Sequence, residues 1–172
     1  MMRAIIVAIA CAVMVAANAH AQTAPTDPTA SGFWAQSDDN GEVRSWFLFA
    51  EKDGVYSGRI VKIFKKPGEP VYTHCPKCPG DLKGARMLGL TLVNGMKRDG
   101  LNYTDGSVLD PRDGSVYHAE MSVSPDGQKL FLRGYVLVPL LGQTQTWNRL
   151  PDDVIAPDDV PKEVLATPAP KP

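Results

Sequence analysis

Gly32-Phe33-Trp34 opens the strand-rich part of this 172-residue chain, and Gln143-Thr144-Gln145-Thr146-Trp147-Asn148-Arg149 closes it. A first strand carrying Trp and a last strand carrying Arg meet only if the sheet between them closes on itself. Closure removes the unpaired edges that invite aggregation, and it lets a guanidinium lie on an indole face. The pair therefore predicts a small closed barrel with Gly32, Trp34 and Arg149 as a structural lock at one end.

The segment between these motifs is punctuated by Asn40-Gly41, Asp53-Gly54, Asn94-Gly95, Asp99-Gly100, Asp105-Gly106, Asp113-Gly114 and Asp126-Gly127. Asn-Gly and Asp-Gly tolerate the positive φ of tight turns, so each reads as a hairpin signal between strand-like flanks. Strands are expected over 43–49, 55–64, 87–93, 116–123, 129–138 and 144–149, with shorter pieces at 101–104 and 107–109. Tyr117, Ala119, Met121 and Val123 alternate with His118, Glu120 and Ser122, the pattern of an antiparallel sheet with one wet face. No stretch keeps a helical period. The fold class is all-β, a small closed antiparallel up-and-down barrel of about eight or nine strands.

The ends read differently. Met1-Met2-Arg3, the apolar run from Ala4 to Val15 and Ala19-His20-Ala21 form a Sec-type signal peptide over 1–21, with cleavage after Ala21. Residues 22–30 read as a flexible leader, 31–150 as the barrel domain, and 151–172 as a disordered tail rich in Pro, Ala and Asp. No other segment approaches the ~20 apolar residues of a spanning helix. A periplasmic or secreted location follows. The net charge is −1 and no basic stripe exists, which argues against a nucleic-acid partner.

Once the signal peptide is removed, Cys75 and Cys78 are the remaining cysteines, in His74-Cys75-Pro76-Lys77-Cys78-Pro79. Three readings stand: a small structural disulfide, half of a metal site, or a redox pair. The flanking prolines suggest a loop and no βαβ context surrounds it, so the disulfide is preferred and no cofactor or metal is expected. Asp105, Asp110 and Asp113 sit in turns, where such side chains cap their own backbone. Without a nucleophile elbow, a phosphate-cradling glycine loop or a His-Glu-x-x-His, the chain is not expected to be an enzyme.

Arg59 and Arg133 each lie in an expected strand beside a glycine. Pointed inward they would need an anion or an aromatic face. With Trp46, Tyr103 and Tyr135 they form a candidate pocket for a small amphipathic anion; the opposite reading makes both arginines outward, solvated strand residues.

The chain resembles a secreted bacterial family catalogued as domain of unknown function twenty-one forty-seven. The resemblance spans Ser31 to Arg149 and rests on Gly32-Phe33-Trp34, Tyr56-Ser57-Gly58-Arg59-Ile60-Val61, Leu88-Gly89-Leu90, Asp110-Pro111 with Gly114 and Tyr117, Arg133-Gly134-Tyr135, and Gly142 to Arg149. That family is similar in fold to lipocalins, whose Gly-x-Trp on the first strand is capped by an Arg from the last. Gly32, Trp34 and Arg149 would hold those positions here. The resemblance implies a fold and a compartment but no chemistry. Three functions remain open: sequestering a small amphipathic molecule in the periplasm, acting as an envelope interaction module with a filled barrel and the tail as docking element, or handling metal or redox equivalents through Cys75 and Cys78.

Overall fold

The computed structural model describes residues 27–68 and 73–155. The expected signal peptide, the first part of the leader and the tail beyond Ile155 lie outside them. Ten strands follow in order: β1 Gly32–Ser37, β2 Val43–Lys52, β3 Val55–Ile63, β4 His74–Cys75, β5 Ala85–Arg86, β6 Thr91–Asp99, β7 Asn102–Leu109, β8 Val116–Val123, β9 Lys129–Tyr135 and β10 Gln143–Arg149. Eight of them close one antiparallel barrel in the order β1-β10-β9-β8-β7-β6-β3-β2, and β4 pairs with β5 in a separate two-stranded sheet. The seam between β1 and β10 is the shortest, with Trp34 opposite Arg149 and Ala35 opposite Asn148.

Two expected hairpin turns are bulges inside strands. Asn94-Gly95 lies within β6 and Asp105-Gly106 within β7, where Gly95 and Asp105 take positive φ without reversing the chain. The β7–β8 register shifts between Tyr103 and Gly106. Bulges add local twist, which a closing barrel needs. Gly106 is required by packing as well, since a Cβ there would lie 2.3 Å from Met96 Sδ. The pieces expected at 101–104 and 107–109 are consequently one strand, while the strand expected at 87–93 begins at Thr91 and runs on to Asp99.

The barrel interior is packed with side chains. Trp34, Phe47, Phe49, Tyr56, Tyr103, Met121, Leu130 and Trp147 form its core with smaller neighbours. The Phe47 and Trp147 rings lie 4.4 Å apart, and Tyr56 meets Tyr103 edge-on at 4.9 Å. A Cβ at Gly58 would come within 2.5 Å of the Phe49 ring.

Two outer faces are covered as well. Leu150, Val154 and Ile155 pack over Phe33, Val61, Trp46 and Leu48 on the outside of β1–β3. The tail expected to leave the fold at Pro151 thus follows the barrel to Ile155, because apolar residues punctuate its start. The loop carrying Cys75 and Cys78 packs with Leu90 and Leu109 against the outside of β6 and β7. The end of the leader is also part of the fold: Ala30 is fully buried.

Candidate functional site

The two ends of the barrel have opposite characters. At one, the Arg149 guanidinium carbon lies 4.1 Å from the centroid of the Trp34 ring. Its nitrogens donate to the carbonyls of Thr29, Ser31 and Gly127. The Trp34 indole N–H donates to the Ala30 carbonyl at 2.7 Å, and Ala30 N–H donates to the Tyr103 hydroxyl at 2.8 Å. Gly32 adopts φ +112°, and a Cβ there would lie 2.9 Å from Arg149 Nη1. Burial pushes the Arg149 pKa down, opposed by Asp152 and Tyr103, yet arginine keeps its charge throughout this range. Burial also raises the Tyr103 hydroxyl above its ordinary value. This end is a plug made of the leader, an indole and one arginine.

Of the five residues expected to line one pocket, Tyr103 and Arg133 border the same shallow groove, while Trp46, Arg59 and Tyr135 do not join them. Tyr103 is fully buried in the core at the plugged end. Arg59 lies on the outer face of β3, because Tyr56, Gly58 and Ile60 take the buried positions. Trp46 belongs to the outer cluster on β1–β3, under the Lys62 ammonium at 4.3 Å and edge-on to Phe64 at 5.2 Å. Arg133 is outward because Leu130 and Leu132 take the lumen; it donates to the carbonyls of Pro139 and Leu140 and to Thr144 Oγ1. Tyr135 stacks on His118 of β8, with 5.7 Å between ring centroids. A pocket built from Arg59 and Arg133 inside the barrel is therefore ruled out by strand parity, and the outward reading of both arginines holds.

The other end is open along β10. Residues 143, 145 and 147 share the lumen side of this strand, pairing with Gly134, Leu132 and Leu130 of β9. Trp147 is 3% exposed, whereas Gln145, two residues toward the mouth, is exposed. Two residues of strand cover about 7 Å, so the lumen passes from filled to wet within that distance. Gln145 Oε1 accepts from the Trp147 indole at 3.0 Å. Across the seam, Gln36 is on the same side of β1 as Trp34, and its amide oxygen accepts from Ser45 Oγ at 3.0 Å. Gln36, Ser45, Gln143 and Gln145 thus form an uncharged amide and hydroxyl rim above the Phe47–Trp147 floor. The signal lay in the alternation of Gln143-Thr144-Gln145-Thr146-Trp147, which places both glutamines with the tryptophan.

Other features lie around the outside of the barrel. Lys66 Nζ bridges Asp38 and Glu42, at 2.7 Å each, tying the β1–β2 turn to the chain after β3. Cys75 and Cys78 are joined in a disulfide, with Cα atoms 5.4 Å apart, and both are buried. His74 is exposed and hydrogen-bonds Thr73. Among the described residues, no three His, Cys, Asp or Glu side chains gather as a metal site. Asp113 caps Ser115 N–H at 2.8 Å, and Asp105 meets Lys97 at 3.4 Å on the surface. Asp110 faces the Arg112 guanidinium, which lowers its pKa below the ordinary carboxylate range against a smaller opposing effect of burial. A shallow, open groove of about 330 Å³ crosses the outside of β7–β10, lined by Tyr103, Glu120, Ser122, Phe131, Arg133 and Thr144 among others. No described helix is long and apolar enough to cross a membrane.

In comparison with solved structures, the barrel is similar to protein HP1028 from the human pathogen Helicobacter pylori, described as belonging to the lipocalin family. The TM-score is 0.65 at 19% identity, covering 80% of this chain and 97% of that one. At that identity the similarity speaks to the fold. No curated protein matches the chain in sequence. Residues 32–149 match the model of a family described as "uncharacterized protein conserved in bacteria (DUF2147)", and those limits coincide with the lock glycine and the lock arginine. This chain belongs to that family, with a lipocalin-like closed barrel of eight strands as its fold.

Proposed function

We propose that this protein is an exported, non-catalytic binding protein of the bacterial periplasm that takes a small amphipathic molecule at the mouth of its barrel. The observation that carries the reading is the step along β10, where Gln145 faces the lumen exposed and Trp147 faces it buried. Binding sites of this kind combine apolar surface with a few placed polar groups. Here Gln36, Ser45, Gln143 and Gln145 supply donors and acceptors, and none carries a charge. They suit a neutral hydroxylated or amide head. The apolar part of such a ligand would lie toward the Phe47–Trp147 floor.

Native mass spectrometry of protein purified from the periplasm tests this. Bound mass that vanishes on denaturation is expected, together with its loss in the double variant Gln36→Ala, Gln145→Ala. A bare mass, with tryptophan emission unmoved by a panel of neutral amphiphiles, would overturn the reading. It would favour the second one, a barrel that acts only through its exterior. The packed interior supports that alternative, since Phe49 and Met96 fill the places where side chains at Gly58 and Gly106 would stand.

A further inference from the structure

The connection from β9 to β10, Val136-Leu137-Val138-Pro139-Leu140-Leu141, is a knob of large apolar side chains. Val136 is 66% exposed, Leu137 80%, Val138 47%, Leu140 86% and Leu141 75%. Water-soluble surfaces rarely gather so many such residues without using them. The knob is also held in shape. Residues Pro139–Leu141 form a 3-10 turn in which Leu141 N–H donates to Val138 O at 3.1 Å and Gly142 N–H to Pro139 O at 2.9 Å. From below, the Arg133 guanidinium donates to Pro139 O and to Leu140 O, and anchors on Thr144 Oγ1 at 2.7 Å. Gly142 seats the base: a Cβ there would lie 2.5 Å from Gly134 O.

The carbonyls of Val138, Pro139 and Leu140 therefore have partners inside the protein. Bonds already made to these three carbonyls lower the cost of bringing the tip into an apolar layer, where each unsatisfied backbone group is costly. The knob is convex, and a bilayer accepts a convex apolar tip without a complementary groove. From Val136 to Asn148 no residue is charged. The nearest cation is Arg133, at the depth where headgroups would sit, and Tyr135 flanks it as interfacial aromatics do. Glu120 lies across from Arg133 in the β8–β9 ladder, so the base carries both signs and suits zwitterionic headgroups.

We infer that Val136–Leu141 is a membrane-docking tip that seats in the interfacial layer of a phospholipid bilayer. It adjoins Gln143 and Gln145 and so brings the barrel mouth to the lipid surface. The attraction is apolar insertion rather than charge, as in other shallow interfacial anchors.

The test is flotation of the mature, full-length protein with vesicles of phosphatidylethanolamine and phosphatidylglycerol. The protein should float with them at low and at high salt alike. The triple variant Leu137→Ser, Leu140→Ser, Leu141→Ser should partition about tenfold less or weaker still, with an unchanged melting temperature. A Leu140→Trp reporter should be quenched by brominated lipid. Failure of the parent protein to float refutes the proposal, as does flotation that the triple variant retains or that high salt abolishes. A concentration-dependent dimer lost in the triple variant, without lipid binding, would assign the tip to a second copy of the chain instead. None of these outcomes depends on whether the mouth holds a ligand.

Discussion

Arg149→Ala should destabilise the barrel by about 3 kcal/mol. The guanidinium stacks on Trp34 at 4.1 Å, and a partly desolvated cation–π contact is worth about 1–2 kcal/mol. It also donates to three backbone carbonyls, of Thr29, Ser31 and Gly127. Each such bond contributes about 1 kcal/mol net, because the site is only partly buried and water can replace the lost donor. Freeing the side chain returns about 2 kcal/mol of rotamer entropy, which leaves roughly 2–3 kcal/mol. For a domain of this size that corresponds to a fall in Tm on the order of 10 °C. Thermal and urea melts of the parent, Arg149→Ala and Arg149→Lys decide the matter. Lysine keeps the charge but loses the fork, so its melt should fall between the other two. An alanine variant melting within a degree or so of the parent would refute the lock, and with it the reason the first and last motifs occur together.

Gly114→Ala should cost about 2–4 kcal/mol, since φ is +83° and the new Cβ would lie 1.8 Å from Lys77 O in the disulfide loop. Gly54→Ala, at φ +80° with open space around it, is the control and should lose about 1 kcal/mol; equal losses measured by urea melts would discard the packing argument. Asp110→Asn tests the sign of a pKa shift. The Arg112 guanidinium depresses the Asp110 carboxyl, so its contribution is complete above the ordinary carboxylate value and is lost as pH falls through the lower, folded one. With Arg112 largely exposed, the variant should be less stable by no more than about 1 kcal/mol at neutral pH. That difference should close on acidification below about pH 4; a pH-independent difference would sink the assignment.

The barrel was legible in the sequence because its strongest signals are local. β8 falls on its expected span, 116–123, since alternation marks it and turns bound it. The lock residues announced themselves as a pair at the two ends of the chain's strand-rich part. What local signals could not decide is whether a positive φ reverses the chain. Asn94-Gly95 and Asp105-Gly106 look like hairpin turns, yet β6 and β7 pair in one register across both, and only their shifts against β3 and β8 make them bulges. The candidate site failed for a related reason. In Leu130-Phe131-Leu132-Arg133 both alternating sets contain apolar residues, so parity does not say which set is inside. The lumen took Leu130 and Leu132, Phe131 went to the outer groove, and Arg133 became the brace of the apolar tip.

Fourteen consecutive residues, 136–149, carry the tip, the rim of the mouth, its floor and the lock. Their order along one connection and one strand makes the barrel a gradient, from apolar tip through wet mouth to dry core to plug. Gln145 and Arg149 are four residues apart, about 13 Å along a strand, and sites that far apart with no shared partners contribute nearly independently to stability. The plug can therefore hold the fold while the rim is changed. A barrel filled through its middle gives up the deep cavity of an open calyx, but it gains a rigid floor directly beneath the mouth. Trp147 supplies that floor, and its indole N–H fixes Gln145 above it. Selectivity in such a molecule would reside in the few rim side chains, and stability at the opposite end, which is the division of labour the alternation of β10 already spells out.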